Sequence, residues 1–256
     1  MKKLLLTLVC ACALTLGAVF AAQAETTGVY VAPKFMMMWQ NNYSNFGMDA
    51  SIAGMPGRFG ENRDLENSQF TLGGALAVGY DFYPRMNLPI RAEIEFAMRG
   101  NNEFSDDESH NLQTPYGSVT INQGFRVRYN ASTLLTNFYW DFHNDSAFTP
   151  YVMAGAGLAF INAKYEYNIN VPEMMGGRSS EGRSMNKNFT NFAWALGAGC
   201  AYNINENFAV DLGYRYLNLG QVKTDTTARA AGFNVTGEAE SFANNHEIML
   251  GLRYTF

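Results

Sequence analysis

Ten charged residues stand on alternate positions of otherwise apolar segments: Lys34, Asp81, Arg91, Glu93, Glu95, Arg99, Asp211, Arg215, Glu247 and Arg253. The densest set is in residues 90–99. There Ile90, Ala92, Ile94, Phe96 and Met98 alternate with Arg91, Glu93, Glu95, Ala97 and Arg99. An extended chain turns successive side chains to opposite faces, so the charges share one face and the apolar groups the other. Both signs on one face permit two kinds of chemistry. They can pair in a low-dielectric interior, or they can line a narrow polar path for small solutes. The mixture of signs suits the paired network, which stabilises a closed interior and catalyses nothing.

Other reactive side chains do not converge. His110, His143 and His246 are the three histidines, and none forms a His-x-Ser pair or an Asp/His couple at a segment end, so the chain reads as non-enzymatic. Residues 101–111 hold Glu103, Asp106, Asp107, Glu108 and His110, oxygen donors of the kind Ca²⁺ prefers. They lack the glycine and spacing of an EF-hand loop and read as a solvated stretch, so no metal or cofactor is expected. Arg178, Arg183 and Lys187 would suit lipopolysaccharide phosphates or an acidic partner, or would simply be solvated. Cys200 shares its parity with apolar neighbours and reads as a small apolar residue.

The elements that position the charges are eight alternating segments, near residues 28–40, 68–82, 90–99, 126–142, 151–168, 188–203, 208–216 and 246–256. The first carries Pro33, awkward in a central strand. In the fourth, Val127, Tyr129 and Ala131 share one parity while Leu134, Phe138, Trp140 and Phe142 share the other. A bulge near Leu134 and Leu135 would reconcile them. The last segment places Ile248, Leu250, Leu252, Tyr254 and Phe256 on one face, and a closing aromatic of this kind resembles the assembly signal of outer-membrane barrels.

Connections alternate in length. Those at residues 83–89, 143–150 and 204–207 are short; those at 41–67, 100–125, 169–187 and 220–240 are long. All long loops therefore leave one end of an antiparallel, up-and-down arrangement, the layout of a transmembrane β-barrel with long extracellular loops and short periplasmic turns.

Lys2 and Lys3 precede an apolar run that ends in Ala22-Gln23-Ala24 before Glu25, the pattern of a secretory signal peptide over residues 1–24, with the barrel domain over 25–256. Its removal takes two lysines and no acid, moving the net charge from −5 to −7. An acidic chain is not a general nucleic-acid binder. Cys200 alone remains, so no internal disulfide forms.

A soluble lipocalin-like barrel would turn its apolar face inward. Here the second face is glycine, alanine and charge, which suits the crowded lumen of a narrow barrel and leaves the apolar face for lipid. Aromatics beside the short turns (Phe82, Tyr83, Trp140, Phe142, Phe148, Tyr151, Tyr202, Phe208, Tyr254 and Phe256) form one interfacial girdle.

The Gly/Ala-rich stretches 151–160 and 192–202, the run Asp211-Leu212-Gly213-Tyr214-Arg215-Tyr216 and the closing residues 251–256 resemble the opacity-type surface antigens. These are small eight-stranded outer-membrane barrels, similar to the membrane domain of outer membrane protein A. The resemblance implies an outer-membrane surface protein, monomeric, surrounded by lipid and lipopolysaccharide. It also implies recognition by the barrel assembly machinery through the last strand, and loops engaged in adhesion, antigen display or envelope integrity. The alternative is a porin-like channel for small solutes or hydrophobic compounds.

Overall fold

The computed structural model describes residues 27–52, 58–114, 117–170, 180–230 and 233–256. The leader expected over residues 1–24, with the expected cleavage residues Ala22, Ala24 and Glu25, and Arg178 lie outside the described residues. The strands are β1 (Val29–Ile52), β2 (Arg58–Asp81), β3 (Ile90–Arg99), β4 (Asn102–Thr114), β5 (Gly117–Asp141), β6 (Phe148–Asn170), β7 (Ser180–Asn203), β8 (Phe208–Ala230) and β9 (Phe233–Thr255). One short helical turn, α1 (Tyr83–Met86), joins β2 to β3.

Sequential strands pair antiparallel, apart from β3 and β4, and β1 pairs with β9. Both β3 and β4 pair with β5, residues 90–98 against 140–132 and residues 102–114 against 129–117. They are one staircase interrupted at Gly100 and Asn101. Counted so, the sheet has eight strands and closes into a barrel. Closure removes the unpaired edges that an open sheet would expose, which is what hydrocarbon requires of a β-structure.

The strands outrun their apolar alternation. Residues 41–67, expected as a loop, are largely the outer halves of β1 and β2, paired from Asn41↔Ser68 to Ser51↔Arg58. The period-2 signal marks a contrast between two environments. Backbone pairing needs no such contrast and continues where the alternation in sequence ends.

The bulge expected near Leu134 and Leu135 is absent. The β5–β6 register runs unbroken from Asn122↔Asn170 to Asp141↔Tyr151, and the β3–β5 register passes through Phe96↔Leu134 and Glu95↔Leu135 without a shift. Odd positions from Ala131 to Asp141 are buried inside, and Leu134, Phe138 and Trp140 face out. Tyr129 continues the inward parity, paired with Ala163. It lies beyond the apolar band, where inward no longer contrasts with lipid.

Outward side chains form an apolar band bounded by aromatics at both ends. At the short-turn end, Tyr80 packs on Phe82, Phe148 on Tyr202 and Phe208 on Tyr254, with centroids 4.8–5.0 Å apart. At the hairpin end a second belt, not anticipated from sequence, joins Trp39 to Phe70 at 5.3 Å and Trp194 to Tyr216 at 5.6 Å. His246 completes it, 5.4 Å from the Tyr216 ring and hydrogen-bonded through Nδ1 to the Tyr214 hydroxyl at 2.6 Å.

Inside, large side chains need small ones opposite. The Tyr30 ring lies over Gly79, and the Tyr151 hydroxyl lies over Gly199 and Gly213. A Cβ on Gly79 would strike that ring and come within 2.7 Å of the Ala92 carbonyl oxygen. Gly79→Val is therefore expected to lower the unfolding free energy of the refolded barrel by about 1–3 kcal/mol in a urea titration. Gly74→Val, whose Cβ meets only the Lys34 carbonyl oxygen at 3.7 Å, is expected to be neutral or stabilising.

Candidate functional site

The lumen is built from the inward positions of β1, β3, β5, β8 and β9, while β6 and β7 contribute mainly glycine and alanine. Alternation fixes which residues enter; the register fixes their height. Gly197↔Arg215, Arg215↔Glu247 and Glu95↔Leu135 place the central charges at neighbouring levels.

Arg215 is the hub. It is wholly buried, and its Nη1 donates to Glu95 Oε1 at 2.6 Å. Its Nε and Nη2 reach Glu247 Oε2 at 2.8 and 2.6 Å, and Nη2 also lies 3.6 Å from Met36 Sδ. Arg99 Nε donates to the other Glu247 oxygen at 2.8 Å and its Nη1 to Thr133 Oγ1 at 3.1 Å. Lys34 Nζ pairs with Glu95 Oε2 at 2.7 Å and with Glu93. Tyr30, Asn137 and Tyr139 donate to Glu93 at 3.1, 3.0 and 2.6 Å.

A second cluster lies nearer the short turns. Arg91 grips Asp141 with two hydrogen bonds of 2.6 and 2.8 Å, the fork geometry that makes guanidinium–carboxylate pairs strong. Its guanidinium rests over the Tyr139 and Tyr151 rings at 4.6 and 5.2 Å. Asp211 stands between Arg91 Nη1 at 3.8 Å and Arg253 Nε at 3.7 Å. Asp81, assigned to the lumen from its parity, takes no part. It sits at the last position of β2, where its Oδ1 accepts from the Tyr83 backbone N–H at 2.9 Å in an exposed turn.

Lys34, Arg91, Arg99, Arg215 and Arg253 thus face Glu93, Glu95, Asp141, Asp211 and Glu247, a neutral set. Burying charge is tolerable only when it is paired and hydrogen-bonded in this way. Apolar layers complete the filling: Met36, Met38, Ala97 and Met249 beside Arg215, and Leu135, Ile161, Leu217 and Leu219 among alanines toward the hairpins. The cavity bordered by Lys34, Arg91, Glu93, Tyr151 and Asp211 measures about 10 Å³, room for about one water.

Asp141, Tyr139, Asn137 and Thr133 were missed by the sequence reading. The supposed bulge in β5 turned Thr133 outward with Ala131; Asn137, Tyr139 and Asp141 already lay on the inward parity, alternating with Leu134, Phe138 and Trp140, and reading that parity for its polar groups would have found them. The terminal set lies as follows: Leu250 and Leu252 are exposed outward, Ile248, Tyr254 and Phe256 are half-buried, and Tyr254 packs on Phe256 at 4.9 Å. Cys200 is half-buried on the outward parity.

At the hairpin end the outward face carries charge. Arg126 and Arg128 bond Glu103 at 3.0 and 2.8 Å, and Lys164 bonds Glu166 at 2.5 Å. The Arg128 hydrogen bond holds the Glu103 carboxyl below the usual carboxylate range, and Lys164 does the same for Glu166. Glu103 belongs to a paired strand, where a loop was expected, and among the described residues no three acidic, histidine or cysteine groups are placed to hold a metal.

Residues 8–256 match the model of the outer membrane protein beta-barrel domain. The chain belongs to that family. This outer-membrane barrel is similar to the outer membrane protein PagN of Salmonella typhimurium strain LT2, 32% identical over 253 residues, covering 96% of this chain and 97% of that protein. It is also 29% identical to RC1281, an adhesin candidate of Rickettsia conorii, over 73% of this chain and 68% of that one. Among solved structures it resembles OprG of Pseudomonas aeruginosa at 18% identity and a TM-score of 0.48, covering 91% of this chain and 97% of that one. Neisserial surface protein A is similar at 15% identity and a TM-score of 0.38, covering 87% and 97%. The family places this barrel in the outer membrane, in contact with its lipid.

Proposed function

We propose that the barrel is a plugged pedestal and that its long hairpins engage a surface outside the cell, in adhesion or surface-antigen display. The observation that carries this reading is the filled lumen: among the described residues, a neutral charge network with apolar side chains within it and on its hairpin side borders a cavity with room for a water, not for a solute. The hairpins support it, because they continue as paired strands well past the outer aromatic belt and so carry the chain away from the apolar band. The adhesin name attached to the Rickettsia relative points the same way. In this reading the hairpins face outward, the short turns, the start of β1 and the end of β9 face the periplasm, the protein works as a monomer without catalysis, and the face of Ile248, Leu250, Leu252, Tyr254 and Phe256 is what the assembly machinery recognises.

The test displays the chain on a non-adherent bacterium and counts attachment to epithelial cells, beside single-channel recordings of the refolded barrel in a planar bilayer. Attachment is expected with the full hairpins. It is expected to be lost when residues 109–122, between the paired Glu108 and Gln123, are replaced by a two-residue turn, while the barrel stays heat-modifiable on a gel and the bilayer stays silent. Discrete openings that vanish when Arg91 or Glu93 is altered would replace this reading with the channel. A silent barrel whose display adds no attachment would leave envelope integrity as its role.

A further inference from the structure

Directly beyond the outer aromatic belt, outward positions on nearly every strand carry an amide. Asn101, Asn130, Asn162 and Asn188 form one ladder across β3/β4, β5, β6 and β7. Asn130 donates to Asn101 at 3.1 Å, Asn162 donates to Asn188 at 2.5 Å, and Asn130 faces Asn162 in register. On the other side Ser68, Asn41, Asn244 and Asn218 stand in register across β2, β1, β9 and β8, with Asn218 donating to Asn244 at 2.7 Å. Together they ring the barrel where hydrocarbon gives way to headgroups.

The two sides then diverge. Past Asn41 and Asn244 come exposed Tyr43 and Phe242, whereas past Asn130 and Asn162 come Arg128, Arg126 and Lys164. Among the described side chains those three cations pair with two acids, Glu103 and Glu166. Arg128 and Lys164 sit directly opposite each other across β5 and β6, an arrangement that is unfavourable in a sheet by itself. A bound anion would reverse its sign. These groups point sideways from the barrel wall, into the leaflet, so what meets them is the headgroup of a lipid. Amides that both donate and accept suit sugar hydroxyls, and guanidinium and ammonium groups suit phosphate. Four strands span about 14 Å, the scale of a disaccharide.

We propose that the outward face of β4, β5 and β6, with Arg126, Arg128 and Lys164 above the ladder of Asn101, Asn130, Asn162 and Asn188, is a docking surface for the phosphorylated saccharide headgroup of lipopolysaccharide. It rests on the outward orientation of the hairpins only for which leaflet supplies the lipid. Binding in a nanodisc is read whichever way the barrel points, so it fails or succeeds separately from attachment.

The full chain is refolded in nanodiscs and titrated with bisphosphorylated lipid A, with dephosphorylated lipid A and with phosphatidylglycerol, and bound lipid is counted by native mass spectrometry. Saturable binding of the bisphosphorylated form is expected, with the other two about tenfold weaker or more. R126Q with R128Q and K164Q is expected to lose that preference. E103Q with E166Q, which leaves the cations unpaired, is expected to bind more tightly, and it keeps the proposal testable should the triple variant fail to fold. R85Q, at the opposite end of the barrel, is expected to change nothing. Equal binding of phosphatidylglycerol, an unchanged triple variant, no tightening in the acid-to-amide variant, or an equal loss in R85Q would each overturn the assignment.

Discussion

Arg215→Met is expected to lower the unfolding free energy of the refolded barrel by about 3–5 kcal/mol, the range for removing one partner of a buried ion pair. Methionine keeps most of the volume, so the loss is electrostatic. Glu95 and Glu247 would each forfeit a 2.6 Å contact, and Lys34 and Arg99 satisfy only their far oxygens. Urea titration in lipid vesicles, followed by tryptophan fluorescence, measures the change. Adding Glu95→Gln should return most of the loss, because it removes the charge that Arg215 had neutralised. Arg215→Lys should fall between the two: an ammonium keeps the charge but cannot reach Glu95 and Glu247 at once with a planar fork. A loss below 1 kcal/mol in the methionine variant would mean that water enters the lumen freely enough to screen the pair.

Ile94→Arg carries the next largest effect, about 2–4 kcal/mol in the same titration. Ile94 is 60% exposed, flanked in register by Val78 and Thr136, and faces outward in the middle of the apolar band. An arginine there must take its charge into hydrocarbon or bend toward a belt that lies far along the strand. Asn218→Arg, in the amide ring beyond Tyr216, should cost about 0–1 kcal/mol, since headgroups and water solvate it. The difference between the two locates the membrane boundary. Equal costs at both positions would remove the assignment of that ring to the interface.

The barrel was legible because lipid and lumen differ so sharply. Residues 90–99, with four charges on one face and none on the other, gave strand, parity and side in one reading. Residues 106–114 and 222–230 carry no such contrast, and their continuation as strands is decided by backbone pairing with the neighbouring strand, a long-range fact with no local signature. The charged lumen was legible as a set, but its pairing was not. Arg215 joins Glu95 across 120 residues of chain and Arg99 joins Glu247 across 148, and only the relative heights of the strands select those partners. The errors had local causes. Asp81 has the right parity but the wrong height, and in β5 a change of surroundings imitated a change of register.

Pro33 has a further consequence for how such a barrel comes together. In the ladder between β1 and β9 the pairing passes from Val31↔Tyr254 to Lys34↔Gly251, skipping Ala32 and Pro33, while the ladder to β2 continues through Pro33↔Leu76. Every other neighbouring pair of strands is joined by a turn or a hairpin; this seam joins segments up to 229 residues apart, and bringing such distant ends together costs about 5 kcal/mol of chain entropy if nothing else has formed. Hairpins that zip in sequence shorten that gap step by step, so the seam closes last. Until it does, β1 is a free edge, open to the wrong strand or to another molecule. A proline on that edge withholds one donor from any newcomer, a common protection against mispairing. Its ring faces lipid once the barrel is shut, and the interruption is confined to the Ala32–Pro33 step: the ladder to β2 runs on through Pro33↔Leu76 and the ladder to β9 resumes at Lys34↔Gly251.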